Sequence, residues 1–559
     1  MSIYPPTTKD HTLRDCAVIL LITAAIYLPL LGLDGWDGNE PLRVIVAKGM
    51  LQSGNWMIPM LHGKPYFTKP PLMNWLIAAS GSLFGTLNEW STRLPSVFMV
   101  FLTGMSVYLL TSKWLSREGR LFAAMATLSM VGLIEKGRTA EIDSLFVFCV
   151  TLTLLVWING YVRQWKPVVL WGVSLLLVGI SFLTKGPQAP AYFYMTVAAY
   201  LLFRKRVSLL FSKAHLLGIL LFLSILLGYL SFVLQWVSLD HYLTMWVGQI
   251  TDRAESKHSL SFLQHILTYP LEAVLSFMPW TLFLLPIILY KDIRRESHEV
   301  SKNEILVFSV AMIVINFPLY WFLPNARFRY FLPAGPFVAI ALGVLFEFYL
   351  GKARSIPAIG MFFKKMLKIL SWIILSAAFI LPILVIVMKF SFSLSLILLT
   401  ASLVCLAVLI LRRAESMHLK HIPVLIALLS GFLFLIYTDI HVQDMMKREN
   451  YPKKIAGEIN SLLPQDAGPV YVIGYRRFLG VTCYLEKEAI QLDGFAGLKA
   501  LRDKGDGTYF LFDTTLLNKA ESAGERSMQD IQWQRVYSKY FSGSKGKIVL
   551  GYLQKRSPS

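Results

Sequence analysis

Apolar residues run along this chain in blocks of about 20, the length a helix needs to cross a bilayer, with short polar stretches between them. The blocks fall near 16–33, 91–111, 120–135, 141–160, 168–184, 187–203, 215–237, 270–290, 304–323, 328–350, 367–388, 390–411 and 422–438. They predict about thirteen transmembrane helices. The polar stretches carry a second pattern. Lys113, Arg117 and Arg120 follow the second block, Arg163 and Lys166 the fourth, and Arg204, Lys205, Arg206 and Lys213 the sixth. Lys291, Arg294 and Arg295 follow the eighth, Lys352, Arg354, Lys364, Lys365 and Lys368 the tenth, and Arg412, Arg413 and Lys420 the twelfth. Basic loops stay in the cytoplasm, so every even exit faces inward, which predicts a cytoplasmic N-terminus and a C-terminal region outside.

Two segments on the predicted outer side are too long to be turns. In the first, residues 34–90, Asn39 suits an N-cap and Pro41 a first helical turn. Leu42, Ile45, Val46 and Met50 fall on one face, which predicts an amphipathic helix at the membrane surface. Pro70 and Pro71 open a second amphipathic stretch, through Trp75 to Phe84. The other segment, about 238–270, is polar and charged. Beyond residue 438 the pattern changes to β-rich runs at 470–475, 508–513 and 547–553, after a helix-like stretch at 453–463. The fold expected is an all-α polytopic membrane domain over 1–438, with external helices in 34–90, and a small α/β domain over 439–559.

Composition agrees. Of 559 residues, 55% are hydrophobic and 16% charged, and mean hydropathy is +0.55; disorder and a plain soluble enzyme are excluded. The net charge of +20 would suggest nucleic acid in a soluble chain. In this one it reflects cytoplasmic loops and a phosphate-handling surface, and no nucleic acid partner is expected. Cys16, Cys149 and Cys405 lie in apolar blocks and Cys483 stands alone, so neither a zinc cluster nor a disulfide framework is expected. There is no Walker A or GxGxxG signature and no internal repeat.

Ionisable residues at the edge of a membrane are costly and therefore candidates for function. The predicted outer side collects Asp34, Asp37, Glu40 and Lys69 from the first loop, and Arg138, Glu141 and Asp143 before the fourth block. It also holds Lys185 in Thr-Lys-Gly-Pro, then Asp240, Asp252, Arg253, Glu255 and His258, and finally Arg327 and Arg329. A carboxylate can take a proton from an attacking hydroxyl, and Lys and Arg can stabilise a phosphate leaving group. With no nucleotide motif, the phosphate expected on that side is the head of a lipid-linked donor. Both histidines of the region, His258 and His265, are read as non-ligands.

Trp36-Asp37-Gly38-Asn39-Glu40-Pro41, Ser53-Gly54-Asn55-Trp56 and Gly63-Lys64-Pro65-Tyr66-Phe67-Thr68-Lys69-Pro70-Pro71 resemble the first external loop of GT-C glycosyltransferases. The likeness is greatest to bacterial aminoarabinose (lipid A) transferases and the protein O-mannosyltransferase-like superfamily. Thr184-Lys185-Gly186-Pro187 and Arg329-Tyr330-Phe331-Leu332-Pro333 resemble two later landmarks. The resemblance implies inverting transfer of a sugar from a polyprenyl phosphate to a lipid A, glycan or protein acceptor, at the outer face of a bacterial inner membrane, by a monomer. It implies Glu40, Asp37 and Asp143 as catalytic carboxylates and Lys69, Lys185, Arg253, Arg327 and Arg329 as ligands of the donor phosphate. Asn39, Arg138, Glu141 and Tyr66 are implied as substrate contacts. Two positions depart from the family: its catalytic Asp falls on Asn39, and the Glu before the loop lysine is Thr68. No cofactor is required by this reading, and a divalent metal is left open. Three other readings compete: a lipid-linked sugar flippase, a pyrophosphate-lipid glycan ligase or polymerase, and a scaffold without activity.

Overall fold

A computed structural model describes residues 11–254, 259–324, 326–503, 508–522, 532–540 and 546–553. All thirteen apolar blocks are helical. Nine helices among the described residues are long and apolar enough to cross a membrane, and a tenth is added if the pair Phe262–Ser276 and Trp280–Leu289, bent by 93°, counts as one span. The three remaining blocks are shorter than predicted. Thr12–Tyr27 and Gln188–Phe203 have 16 residues each, about 24 Å of helix against a hydrocarbon core of about 30 Å. The third block breaks into Arg117–Ser129 and Val131–Gly137, because Met130 between them is extended and the Val131 N–H donates to the Met278 carbonyl. The second long segment is also more helical than its polarity suggested, forming Leu239–Ala254 and Ser259–Ser276.

The chain divides into two compact units. The first comprises Met1–Leu31, Phe67–Met73 and Arg93–Ile440. Its core is aromatic: Phe122 stacks on Phe346 at 4.6 Å, and Trp157 packs against Tyr161, Trp171, Tyr200 and Phe308. Small residues let two of its helices approach. A Cβ on Gly343, in Gly335–Lys352, would lie 2.9 Å from the Gly119 carbonyl oxygen and 3.2 Å from Ala123. Lipid supplies no hydrophobic drive between helices, so such close contact carries the packing.

The second unit comprises Gly32–Tyr66, Asn74–Thr92 and His441–Ser559. It opens with the predicted surface helix, Glu40–Ser53, ended by Gly54 at φ 70°. A short hairpin follows, β1 (Met60–Leu61) against β2 (Lys64–Pro65). The C-terminal part holds β3 (Val470–Ile473), β4 (Ala489–Leu492), β5 (Thr508–Asp513), β6 (Trp533–Tyr540) and β7 (Lys547–Leu553) in the order β4-β3-β5-β7-β6. β4, β3 and β5 are parallel, and β7 and β6 are added antiparallel. Both faces are covered, as a parallel centre requires. Leu511 packs with Ile455 and Ile459 of Pro452–Leu462 on one face, and its neighbours Phe510 and Phe512 pack with Phe495 and Leu498 on the other.

First-loop residues are part of this unit. Trp36 stacks on Tyr484 at 4.6 Å and donates its indole N–H to Thr92 at 2.9 Å. The backbone N–H groups of Gly35 and Trp36 donate to the hydroxyls of Tyr451 and Tyr484 at 2.8 and 2.7 Å. Lys453 donates to Glu89 at 2.6 Å. His62 is buried against Thr482 at 3.1 Å, and that burial pulls its pKa down to about 4.

The Gly343 contact gives a direct test. Gly343→Leu is expected to lower the thermal unfolding midpoint of the purified chain clearly, while Gly228→Ala, whose Cβ meets nothing within 4 Å, leaves it unchanged.

Candidate functional site

The helix Asp143–Val162 starts on a carboxylate, and the helix Pro167–Lys185 ends on a lysine, where Gly186 takes φ 65° and Pro187 prevents continuation. Each charge sits at the helix terminus that favours it, an anion at an N-terminus and a cation at a C-terminus. The two side chains meet. Lys185 Nζ donates to Asp143 Oδ1 at 2.6 Å, with 5% and 3% of the side chains exposed. Arg329 comes from the turn Phe328–Tyr330, donates to Glu141 Oε2 at 3.1 Å and lies 3.9 Å from Asp143 Oδ2. Lys136, at the end of Val131–Gly137, reaches the same Glu141 oxygen at 3.3 Å. Three cations thus surround two buried carboxylates.

Aromatic rings wall the cluster. The Lys185 ammonium lies 4.8 Å from the Phe146 ring and 5.7 Å from that of Tyr330, favourable for a desolvated cation. Tyr192 holds the turn by donating to the Tyr330 carbonyl at 2.6 Å. Among the described residues, several buried polar atoms on these charges or close to them in the chain have no partner: Nε of Arg329, Oγ of Ser144 and Oε1 of Gln188. Buried polar groups are almost always satisfied, so the open Arg329 Nε and Ser144 Oγ beside this ion pair mark a place for a ligand or solvent.

Lys69 joins this neighbourhood through a ring. Its ammonium lies 5.3 Å from the Trp246 ring, and Trp246 packs on Gly186, where a Cβ would come within 2.5 Å of the indole. Lys69 and the Lys185–Gly186 turn therefore share one tryptophan. Arg138 is engaged elsewhere. Its guanidinium is buried and donates to the carbonyls of Ile26, Tyr27 and Pro29 at 3.0, 2.8 and 2.7 Å, capping the end of Thr12–Tyr27. Burial and the nearby Arg93 lower its pKa to about 10. Those bonds tie the guanidinium to the chain's own backbone and leave it little capacity for substrate. Arg327 is exposed. The side chain of Arg253, at the end of Leu239–Ala254, lies outside the described residues, as do Glu255 and His258.

Glu40, Asp37, Asn39 and Tyr66 belong to the second unit. Glu40 is 2% exposed, and its carboxylate accepts the Asp37 backbone N–H at 3.0 Å. Asn39 precedes the helix, but its side chain makes no capping bond; the reach-back of Glu40 closes the turn instead. Asp37 is exposed and lines a cavity of about 210 Å³ with Trp36, Tyr451, Arg448, Arg476 and Arg477. Tyr66 is half-buried, with the Arg43 guanidinium 6.0 Å from its ring. No group of three or more His, Cys, Asp or Glu side chains among the described residues could hold a metal ion.

The chain closely matches a solved architecture. It superposes on ArnT of Cupriavidus metallidurans, in the structure bound to undecaprenyl phosphate, with a TM-score of 0.72 over 98% of both chains at 15% identity. This is the GT-C glycosyltransferase fold. In sequence the chain resembles the aminoarabinose transferases, and residues 68–232 match the family model described as dolichyl-phosphate-mannose-protein mannosyltransferase. It is 31% identical over 198 residues to the undecaprenyl phosphate-alpha-4-amino-4-deoxy-L-arabinose arabinosyl transferase of Pseudomonas savastanoi, which is 35% of this chain and 37% of that enzyme. An Aquifex aeolicus protein is 25% identical over 474 residues, 83% of this chain and 85% of its own.

Sequence reasoning found Asp143, Lys185, Glu141 and Arg329 as separate charges and missed Lys136, Trp246, Ser144 and Gln188. Lys136 is one residue outside an apolar block, and Trp246 sits on an amphipathic helix in a segment read as polar. The buried pair predicts an asymmetric mutational response. Lys185→Ala leaves Asp143 buried without its main partner and is expected to cost about 3–5 kcal/mol, whereas Asp143→Leu with Lys185→Met recovers most of that loss. Thermal unfolding of the purified variants measures it; equal loss in the single and double variants would contradict the pairing.

Proposed function

We propose that this chain is an inverting glycosyltransferase that moves a sugar from a polyprenyl-phosphate donor to an acceptor hydroxyl or phosphate at the outer face of the bacterial inner membrane. The observation that carries the reading is the buried, cation-rich cluster of Lys185, Arg329, Asp143 and Glu141 at the break between two membrane helices. The likeness to aminoarabinose transferases supports undecaprenyl phosphate as the donor lipid and a lipid A-like molecule as the acceptor. Those sequence matches span little more than a third of the transferase's length, so the assignment rests chiefly on the site. The alternation of basic loops supports a cytoplasmic N-terminus and a periplasmic C-terminal domain.

In this reading the acceptor oxygen attacks C1 of the sugar from the face opposite the phosphate. The C1–O bond breaks with inversion, and its electrons leave on the polyprenyl phosphate. That anion needs no proton at neutral pH, so what it requires is positive charge held ready. Lys185 and Arg329 supply the charge, with Lys69 beside them over Trp246. Asp143 and Glu141 hold the cations in place while the site waits for substrate. When a phosphate draws Lys185 away, Asp143 keeps Arg329 and the helix N-terminus as partners, which lowers the cost of the exchange. Asp143 is then a positioning residue rather than the base. The acceptor proton goes to a first-loop carboxylate. Asp37, exposed in a cavity with three arginines, is assigned that role rather than Glu40, which is buried and committed to the turn.

The test is transfer of a labelled sugar from synthetic polyprenyl phosphate by the purified chain. Lys185→Ala and Arg329→Ala are each expected to lower kcat/KM by roughly 10²–10³-fold, the usual loss when one donor to a developing anion is removed. Asp37→Asn is expected to lower kcat by roughly 10²–10⁴-fold with KM little changed. Wild-type turnover in the Lys185 and Arg329 variants would overturn the phosphate assignment, and wild-type turnover in Asp37→Asn would return the base to Glu40. Movement of the lipid across liposomes with no sugar transferred would favour the flippase.

A further inference from the structure

Two helices that begin just after residues of the charge cluster have far ends that line a second cavity. Gln188–Phe203 starts three residues after Lys185 and is capped by Arg204; Gly335–Lys352 starts six residues after Arg329 and finishes at Lys352. Arg204 and Lys352, with Lys113, Lys302, Glu304 and Glu347, line a cavity of about 710 Å³. This is within the size range of small-molecule sites.

The acids of this cavity are already engaged. Glu304 accepts from Arg204 at 2.9 Å and from the Tyr200 hydroxyl at 2.7 Å. Glu299 lies 3.5 Å from Lys352, which also pairs with Glu296 at 2.8 Å. Glu347 accepts the backbone N–H of Ser116. Two of the four cations are not balanced in this way. Lys113 donates only to the Val162 carbonyl, at 3.1 Å, and Lys302 has no partner among the described residues. Both are exposed at the rim. The wall beside them is apolar, from Trp114, Val300, Val344 and Phe348. Unbalanced positive charge next to an apolar wall at the basic end of a membrane bundle is the setting in which anionic headgroups bind.

We propose that this cavity binds the phosphate-bearing headgroup of an anionic phospholipid, the phosphate between Lys113 and Lys302 and the glycerol end against Phe348 and Val344. The site lies at the opposite end of the helices from the Asp143–Lys185 pair and does not depend on the transferase reading. Native mass spectrometry of the full-length chain in mild detergent tests it, with phosphatidylglycerol and phosphatidylcholine offered in equal amounts. The wild type is expected to retain phosphatidylglycerol several-fold over phosphatidylcholine. Lys113→Ala with Lys302→Ala is expected to cut that retention about tenfold or more, while Lys113→Arg with Lys302→Arg keeps it and the sugar-transfer rate of the Ala pair stays at its basal value. An arm with millimolar inorganic phosphate separates the sources: lipid retained in its presence supports the headgroup, and lipid displaced by it supports a soluble phosphate on the same two lysines. Equal retention of the two lipids by the wild type, or undiminished phosphatidylglycerol on the Ala pair, would overturn the proposal.

Discussion

Two opposite charges buried together at a break between membrane helices are the constraint on which this structure turns. Removing Asp143 and Lys185 from water costs several kcal/mol per ion, and a 2.6 Å contact between them returns much of it only because the rest of the site cooperates. The helix termini contribute their dipoles, Arg329 and Lys136 pin Glu141 alongside, and Phe146 and Tyr330 supply ring faces to the ammonium. A hydrophobic pair would fill the same space at less cost. A site kept charged against that cost is one whose charge is used, and a phosphate anion is what three cations around two carboxylates are suited to receive.

The helix break makes the arrangement possible. Gly186 at positive φ followed by Pro187 ends one helix and starts the next within three residues, so the last side chain of the first points where a continuing helix would have buried its backbone. Gly186 also leaves room for Trp246, and Trp246 is what brings Lys69 into the same surroundings. The second unit solves a different problem. Its first-loop segment and its C-terminal part are joined through Trp36, Tyr451, Tyr484 and the Lys453–Glu89 pair, and Asp37 is exposed in a cavity with arginines.

Much of this was legible in the residues. Hydropathy located thirteen blocks that are helical among the described residues, since membrane spans must be apolar over their whole length; the Gly-Pro break announced the end of the helix that carries Lys185. The surface helix was readable from Asn39 through Met50 and appears at Glu40–Ser53. The role of Asn39 was not readable, because the cap comes from Glu40 folding back, a choice that propensities do not decide. The strands Ala489–Leu492 and Trp533–Tyr540 were missed: the first is short, and the second lies at a sheet edge with charged residues interrupting the alternation. The pairing of Asp143 with Lys185 across 42 residues left no local trace, and neither did the diversion of Arg138 to three backbone carbonyls.

The central claim is that the Asp143–Lys185 pair opens to take a lipid phosphate. The most direct measurement is an experimental density map of the chain with undecaprenyl phosphate bound. The account predicts the phosphorus within direct hydrogen-bonding reach of Lys185 or Arg329, with the Lys185–Asp143 contact lengthened. A phosphate held elsewhere, with that contact still closed at 2.6 Å, would contradict it.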